Sequence, residues 1–151
     1  MLIQFSVENY KSFRGEAVLS LLPGKDTNHE SNVSTLESTD RVLNTIAIYG
    51  ANAAGKTNLF KALTTSILLI RKSNQLQKND RLDGIVPFLF DSEMSQKPTS
   101  FEFVFSTNGV KYIYGFAATQ VEIISEYLYA YYSVKPTTIF EREGDKYKFP
   151  K

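Results

Sequence analysis

The 151-residue chain contains no cysteine, which excludes disulfides and thiolate metal sites and suits a reducing compartment. It has a single histidine, His29, set in a polar stretch without a paired carboxylate pattern; that residue is expected to be exposed and is a poor metal ligand. An excess of charge of either sign is missing as well. Seventeen Lys and Arg against sixteen Asp and Glu leave a net charge of +1, so no overall electrostatic footprint points to nucleic acid or an anionic membrane, and any DNA contact has to be local. No apolar run approaches the roughly 18 residues of a membrane span, and the opening MLIQFSVENY lacks a basic leader segment. The expectation is a cytoplasmic protein with no membrane partner. A hydrophobic fraction of 42% with 22% charged residues is that of an ordinary globule, and the length suits one compact domain.

Patterning divides the chain into three parts. In residues 2–8, Ile3, Phe5 and Val7 alternate with Gln4, Ser6 and Glu8, the period of a half-buried strand, and Ala17 to Leu22 reads as a second short one. Pro23 to Arg41 is polar and aperiodic and reads as a long surface loop. Val42 to Tyr49 is mostly apolar and runs into a glycine, the expected form of a buried parallel strand. Leu59, Leu63, Ile67 and Ile70 then recur at helical spacing, predicting a helix from Lys56 to about Arg71. These elements form a core over about residues 1–72. A polar arm follows over about 72–86, and an antiparallel meander over about 87–149. Phe101, Phe103 and Phe105 alternate, Asn108-Gly109 supplies a two-residue turn, and Val110, Tyr112, Tyr114 and Phe116 alternate again, which predicts a hairpin. Ile123 to Tyr132, Thr138 to Arg142 and Lys146 to Phe149 are its further strands.

The stretch Gly50, Ala51, Asn52, Ala53, Ala54, Gly55, Lys56, Thr57 matches G-x-x-x-x-G-K-[ST] at every fixed position, between an expected strand and an expected helix. The physical requirement is a backbone that curls around an anion. Glycines at 50 and 55 allow conformations and close approach that a Cβ would block. The amides of Ala53 through Thr57 are then expected to face phosphates at the positive end of the helix dipole. Lys56 would neutralise the β- and γ-phosphates and is the one candidate catalytic residue, acting by phosphate stabilisation; the Thr57 hydroxyl would ligate magnesium. ATP and Mg2+ are the implied cofactors.

Hydrolysis also needs an aspartate at the end of a neighbouring apolar strand and a residue that positions water. VPFLFD, ending at Asp91, is the nearest candidate and a poor one, because Pro87 cannot donate to a central ladder. No general base is identified. Lys11 and Arg14, in NYKSFRG at the end of the first strand, are candidates to reach phosphate, and Tyr10 and Phe13 to face the base. Tyr127, Tyr129, Tyr131 and Tyr132 lack the basic interleaving of a single-strand stacking platform and are expected to pack a sheet face.

Three passages carry a family resemblance: MLIQFSVENYKSFRG, IAIYGANAAGKTNLFKAL, and the hairpin region with IISEYLYAYY and IFERE. The chain resembles the AAA/ABC-like ATP-binding proteins of the SMC, RecF and OLD type, in their defence-associated bacterial branch. The resemblance implies an α/β P-loop NTPase lobe with a parallel core strand, a P-loop helix and an antiparallel β-subdomain, with ATP held between two heads of a homodimer. It implies a role for Asn58 beside the loop and for Lys11 or Arg14 near the nucleotide. Ala53 departs from the glycine usual at that position. The signature helix, the strand ending in Asp-Glu and the switch histidine of that family have no match before Lys151, so the chain reads as the N-terminal part of a larger ATPase, completed by a missing C-terminal half. A nuclease or DNA partner would act through the full-length protein. The competing readings are a small P-loop kinase, which the aromatic hairpin fits poorly, and a nucleotide-independent interaction module.

Overall fold

The computed structural model describes every residue except Thr27, Thr39, Leu76, Lys78, Asn79 and Lys151. The expected polar loop and polar arm therefore lie partly outside the described residues. The strands are β1 (Leu2–Glu8), β2 (Ala17–Ser20), β3 (Val33–Thr35), β4 (Arg41–Leu43), β5 (Thr99–Thr107), β6 (Val110–Ala118), β7 (Ile123–Tyr131), β8 (Thr137–Glu143) and β9 (Lys146–Lys148), and one helix, α1 (Lys56–Lys72), lies between β4 and β5.

Seven strands form one antiparallel sheet in the order β2-β1-β5-β6-β7-β8-β9. Its centre is the hairpin foreseen from Asn108-Gly109. Both residues take left-handed φ, 49° and 74°, as a tight two-residue turn between twisted strands requires. Pairing of Phe101 with Phe116, Phe103 with Tyr114 and Phe105 with Tyr112 puts the aromatic set on one face. β1 joins this sheet at β5, with Phe5 opposite Phe103 and Val7 opposite Phe101. The ring centroids of Phe5 and Phe103 are 5.0 Å apart, and those of Phe101 and Phe116 5.1 Å. Ala62 and Leu69 of α1, with Leu82 and Ile85, close the core over these rings.

The opposite sheet face is held by tyrosines. Tyr127, Tyr129 and Tyr131 share it, half-buried, so they pack the sheet rather than stand as an open platform. Tyr127 lies across Gly115, whose absent Cβ would stand 2.3 Å from the phenol, and donates to Glu102 at 2.5 Å. Tyr129 donates to Glu141 at 3.0 Å.

Several expectations fail here. No parallel pair exists among the described strands, and the segment approaching the glycine loop is strand only over Arg41–Leu43, antiparallel to β3. Residues 45–50 have no ladder, and Tyr49 is 89% exposed. An apolar run marks a face that must be covered; here Val42 is buried and Ile46 and Ile48 are half-buried, while Ala47 and Tyr49 are exposed. The helix is present, but Ala62, Ser66 and Leu69 are its buried residues, whereas Ile67 and Ile70 of the anticipated stripe are exposed together with Phe60. The helix carries two apolar stripes and the sheet covers one. The polar loop 23–41 is also less irregular than its composition suggests, since β3 pairs with β4.

Asn9 joins these parts. It is 1% exposed, at φ 54°, and its side-chain amide donates to the carbonyls of Met94 (2.8 Å), Lys97 (2.9 Å) and Pro98 (3.1 Å), while its Oδ1 accepts from the Phe88 amide (3.0 Å). Asn9→Ala leaves several buried backbone groups unpaired, each with a penalty of about 1–3 kcal/mol. We expect the variant to lose about 2–4 kcal/mol in denaturant unfolding. A loss below about 0.5 kcal/mol would show that water replaces the amide at no penalty.

Alkaline pH supplies a second test. Burial, then the bonds to Glu126 and Glu102, raise the phenols of Tyr114 and Tyr127 well above 10.0. The folded state therefore keeps both protons while the unfolded chain loses them, so this stability is complete below about pH 10 and declines as pH rises beyond it. A scan of Tm from pH 8 to 11.5 should fall above pH 10, and more shallowly in the Tyr114→Phe, Tyr127→Phe double variant; parallel curves would contradict the assignment.

Candidate functional site

The glycine loop meets α1 at Gly55, which has φ +93° and caps the helix without a side-chain bond. A Cβ there would lie 3.1 Å from the Phe13 ring and 3.3 Å from the Ser12 hydroxyl, so both backbone conformation and crowding require glycine. Gly50 is different, because a Cβ there would make only ordinary contacts at 3.7 Å or more. The expected need for glycine at that position has no basis within the chain itself. Ala53 sits at φ 62°, a left-handed position that carries about 1–2 kcal/mol of strain for a residue with a Cβ.

The loop presents donors. Among the described residues the backbone amides of Gly55, Lys56, Thr57 and Asn58 have no backbone acceptor, whereas the Ala54 amide bonds the Ala51 carbonyl at 3.3 Å. These unpaired amides are the usual orphans of a helix N-terminus, and they coincide with the positive end of a 17-residue helix. The Lys56 ammonium folds over the loop and donates to the carbonyls of Gly50 (2.6 Å) and Ala51 (2.7 Å). It therefore spans the concavity it would share with an anion. Ala51, Asn52, Ala53, Ala54 and Thr57 are exposed, and the Thr57 hydroxyl has no partner among the described residues.

The turn after β1 is the other wall. Tyr10 and Phe13 exchange backbone bonds of 2.9 and 2.8 Å, and Ser12 accepts from the Asn58 side chain at 2.8 Å. Asn58 thus engages the turn. Tyr10 is fully buried, 3.3 Å from the Thr65 hydroxyl, and Phe13 packs against Gly55, so neither is free to face a base as anticipated. Lys11 and Arg14 flank the loop, but their charges lie elsewhere. The Lys11 ammonium stands 5.6 Å from the Tyr10 ring centre, and Arg14 donates to Asp91 at 2.9 Å.

Asp91 ends no strand. It accepts from the amides of Glu93 (2.9 Å) and Met94 (3.2 Å) as well as from Arg14. The Met94 bond first, then Arg14, hold its carboxyl below the ordinary range. Sequence reasoning missed Ser12 as a partner of the loop, because 46 residues separate it from Asn58 and no periodicity spans that gap. His29 is exposed, and the described residues contain no cluster of His, Asp or Glu able to hold a metal. Nor is any helix among them long and apolar enough to cross a membrane.

The loop thus combines the free amides of a helix N-terminus, a lysine lying across it and a glycine fixed by its neighbours, an arrangement able to accept an anion. Residues 46–151 match the model of the family described as "AAA domain, putative AbiEii toxin, Type IV TA system", and the chain belongs to that family. An AAA-type domain is a P-loop ATPase fold, so nucleotide use with Mg2+ comes with the family. A search of curated proteins finds no match.

The two left-handed positions of the loop make opposite predictions. Gly55→Ala introduces left-handed strain and the Phe13 contact together and should destabilise by more than about 1 kcal/mol. Ala53→Gly removes comparable strain against an entropic loss of about 0.4–1 kcal/mol, and should be neutral or stabilising. Thermal unfolding of the pair checks this; equal shifts for both would contradict the loop geometry.

Proposed function

We propose that the chain binds ATP with Mg2+ through Gly50–Thr57, as the N-terminal half of an ABC/SMC-like ATPase head. What supports the reading above all is the set of free amides at Gly55, Lys56, Thr57 and Asn58 with the Lys56 ammonium lying over the same concavity. The residues suit the group. The amides and Lys56 would hold the phosphates, and the exposed Thr57 hydroxyl is a hard oxygen ligand of the kind Mg2+ takes. Binding would exchange the two lysine–carbonyl bonds for bonds to phosphate in which donor and acceptor are both charged, which are the stronger.

Turnover is assigned to parts outside the chain. Among the described residues no aspartate ends a strand beside the loop, and Asp91 is engaged by Arg14 and two amides. The unladdered approach segment and the exposed stripe of Phe60, Ile67 and Ile70 are surfaces that a C-terminal ATPase half, or a second copy, would cover. The family's toxin–antitoxin description supports a defence-linked process; a nuclease or DNA partner would be reached through the full-length protein.

Titration with Mg-ATP, with phosphate release and light scattering followed in the same samples, tests this. Wild type should bind without measurable turnover, and Lys56→Ala should bind about 10–100-fold more weakly, the value of a charge-assisted bond. The exposed stripe should show as association in the scattering. Robust turnover by the chain alone would overturn the half-site reading; no binding would overturn ATP itself, and a monomer at high concentration would remove the covered-surface argument.

A further inference from the structure

We propose that Phe90 is the stacking platform for the nucleobase of the bound triphosphate, set beside the phosphate loop by the Arg14–Asp91 ion pair. The assignment rests on the reading of Gly50–Thr57 as a triphosphate site. Phe90 is 92% exposed, and Leu89 before it is exposed as well. Phe88 supports Phe90 from one side, ring centroids 5.8 Å apart at 64°, and the remainder of the ring is open.

The placement of that ring follows from three bonds between residues 86–91 and the turn after β1. The Lys11 amide donates to the Val86 carbonyl at 2.8 Å, the Phe88 amide to Asn9 at 3.0 Å, and Arg14 to Asp91 at 2.9 Å. The other side of the same turn carries Phe13 and Ser12 onto Gly55. A single turn is thus the spacer between the phosphate cradle and the open ring, which is the order of parts in a nucleotide: phosphates, then sugar, then base. The turn's own aromatics are not available, since Tyr10 is buried and Phe13 faces the glycine.

Asp91 gains a role in this arrangement. It cannot serve a metal from a strand end, but it holds Arg14 and thereby the Leu89–Phe90 loop, with Met94 and Glu93 amides fixing its carboxylate. It is a positioning residue. Phe90 itself would touch the ligand, and because every base offers a π-face, stacking adds affinity for nucleotides over bare phosphates without strict choice among bases. The rival is Tyr49, which directly precedes the loop and is nearly as exposed, but no bond among the described residues ties its side chain to the turn.

The test compares Mg-ATP with inorganic triphosphate on wild type, Phe90→Ala, Phe90→Tyr, Asp91→Asn, Tyr49→Ala and Lys56→Ala. Phe90→Ala should weaken ATP by about 5- to 100-fold and leave triphosphate within twofold, while Phe90→Tyr restores ATP binding. Asp91→Asn should weaken ATP by less, again without touching triphosphate. Equal loss of both probes, no loss of ATP, or loss in Tyr49→Ala in place of Phe90→Ala overturns the assignment alone. Failure of wild type to bind either probe, or indifference of both to Lys56→Ala, overturns the phosphate-site reading and the base platform with it.

Discussion

One buried amide organises the site. Asn9 places two hydrogens among three carbonyls and accepts a fourth backbone group, and its own carbonyl takes the Thr99 hydroxyl at 2.7 Å. Asparagine suits this place because it tolerates the left-handed backbone that β1 needs to leave the sheet, and because its short side chain carries donor and acceptor together. The direction of the chain after Asn9 decides the rest. It aims Tyr10 into the core beneath α1 and Phe13 at Gly55, and it brings residues 86–98 alongside. Without that knot the loop residues would still be present, but the wall that requires glycine at 55 would not.

The fold divides into a finished part and an open part. The antiparallel sheet supplies its own partners, strand by strand, and its aromatic face is covered by half of α1. The residues around the glycine loop are the reverse. The approach segment has no ladder, and the second apolar stripe of α1 stands in solvent. An exposed apolar stripe beside unpaired backbone is the profile of a surface made to be covered.

What could be read from the sequence follows the range of the interaction. The hairpin was legible because Asn108-Gly109 and the alternation on either side are local, and the helix start at Lys56 because a glycine loop and a 3.6 period adjoin. The parallel strand was misread because an apolar run reports a face and not the neighbour that would cover it. The small β3–β4 pair was hidden by polar composition. The motif singles out the loop residues but not their neighbours: the contacts of Gly55 with Phe13 and of Arg14 with Asp91, like that of Tyr127 with Glu102 on the sheet face, join residues whose spacing carries no signal. Lys11 and Arg14 follow the first strand as read, yet the partner of the Arg14 charge, Asp91, depended on where the distant segment 86–91 passes.

The loop is held by contacts of its own. A helix N-terminus with free amides and a nearby ammonium would repel one another in a dry cavity, since all are positive. Here the lysine turns instead to the Gly50 and Ala51 carbonyls, the negative ends of the loop's own peptide dipoles, while Gly55 is wedged by Phe13. The curl is therefore held by two internal bonds and one steric wall, with Ala53 in a strained backbone state at its apex. On the proposed reading a phosphate would need only to draw the ammonium off the carbonyls, so the ordering entropy of binding would be met in advance by folding. On the same reading the loop would contribute grip and charge, and water activation would come from other groups that face it.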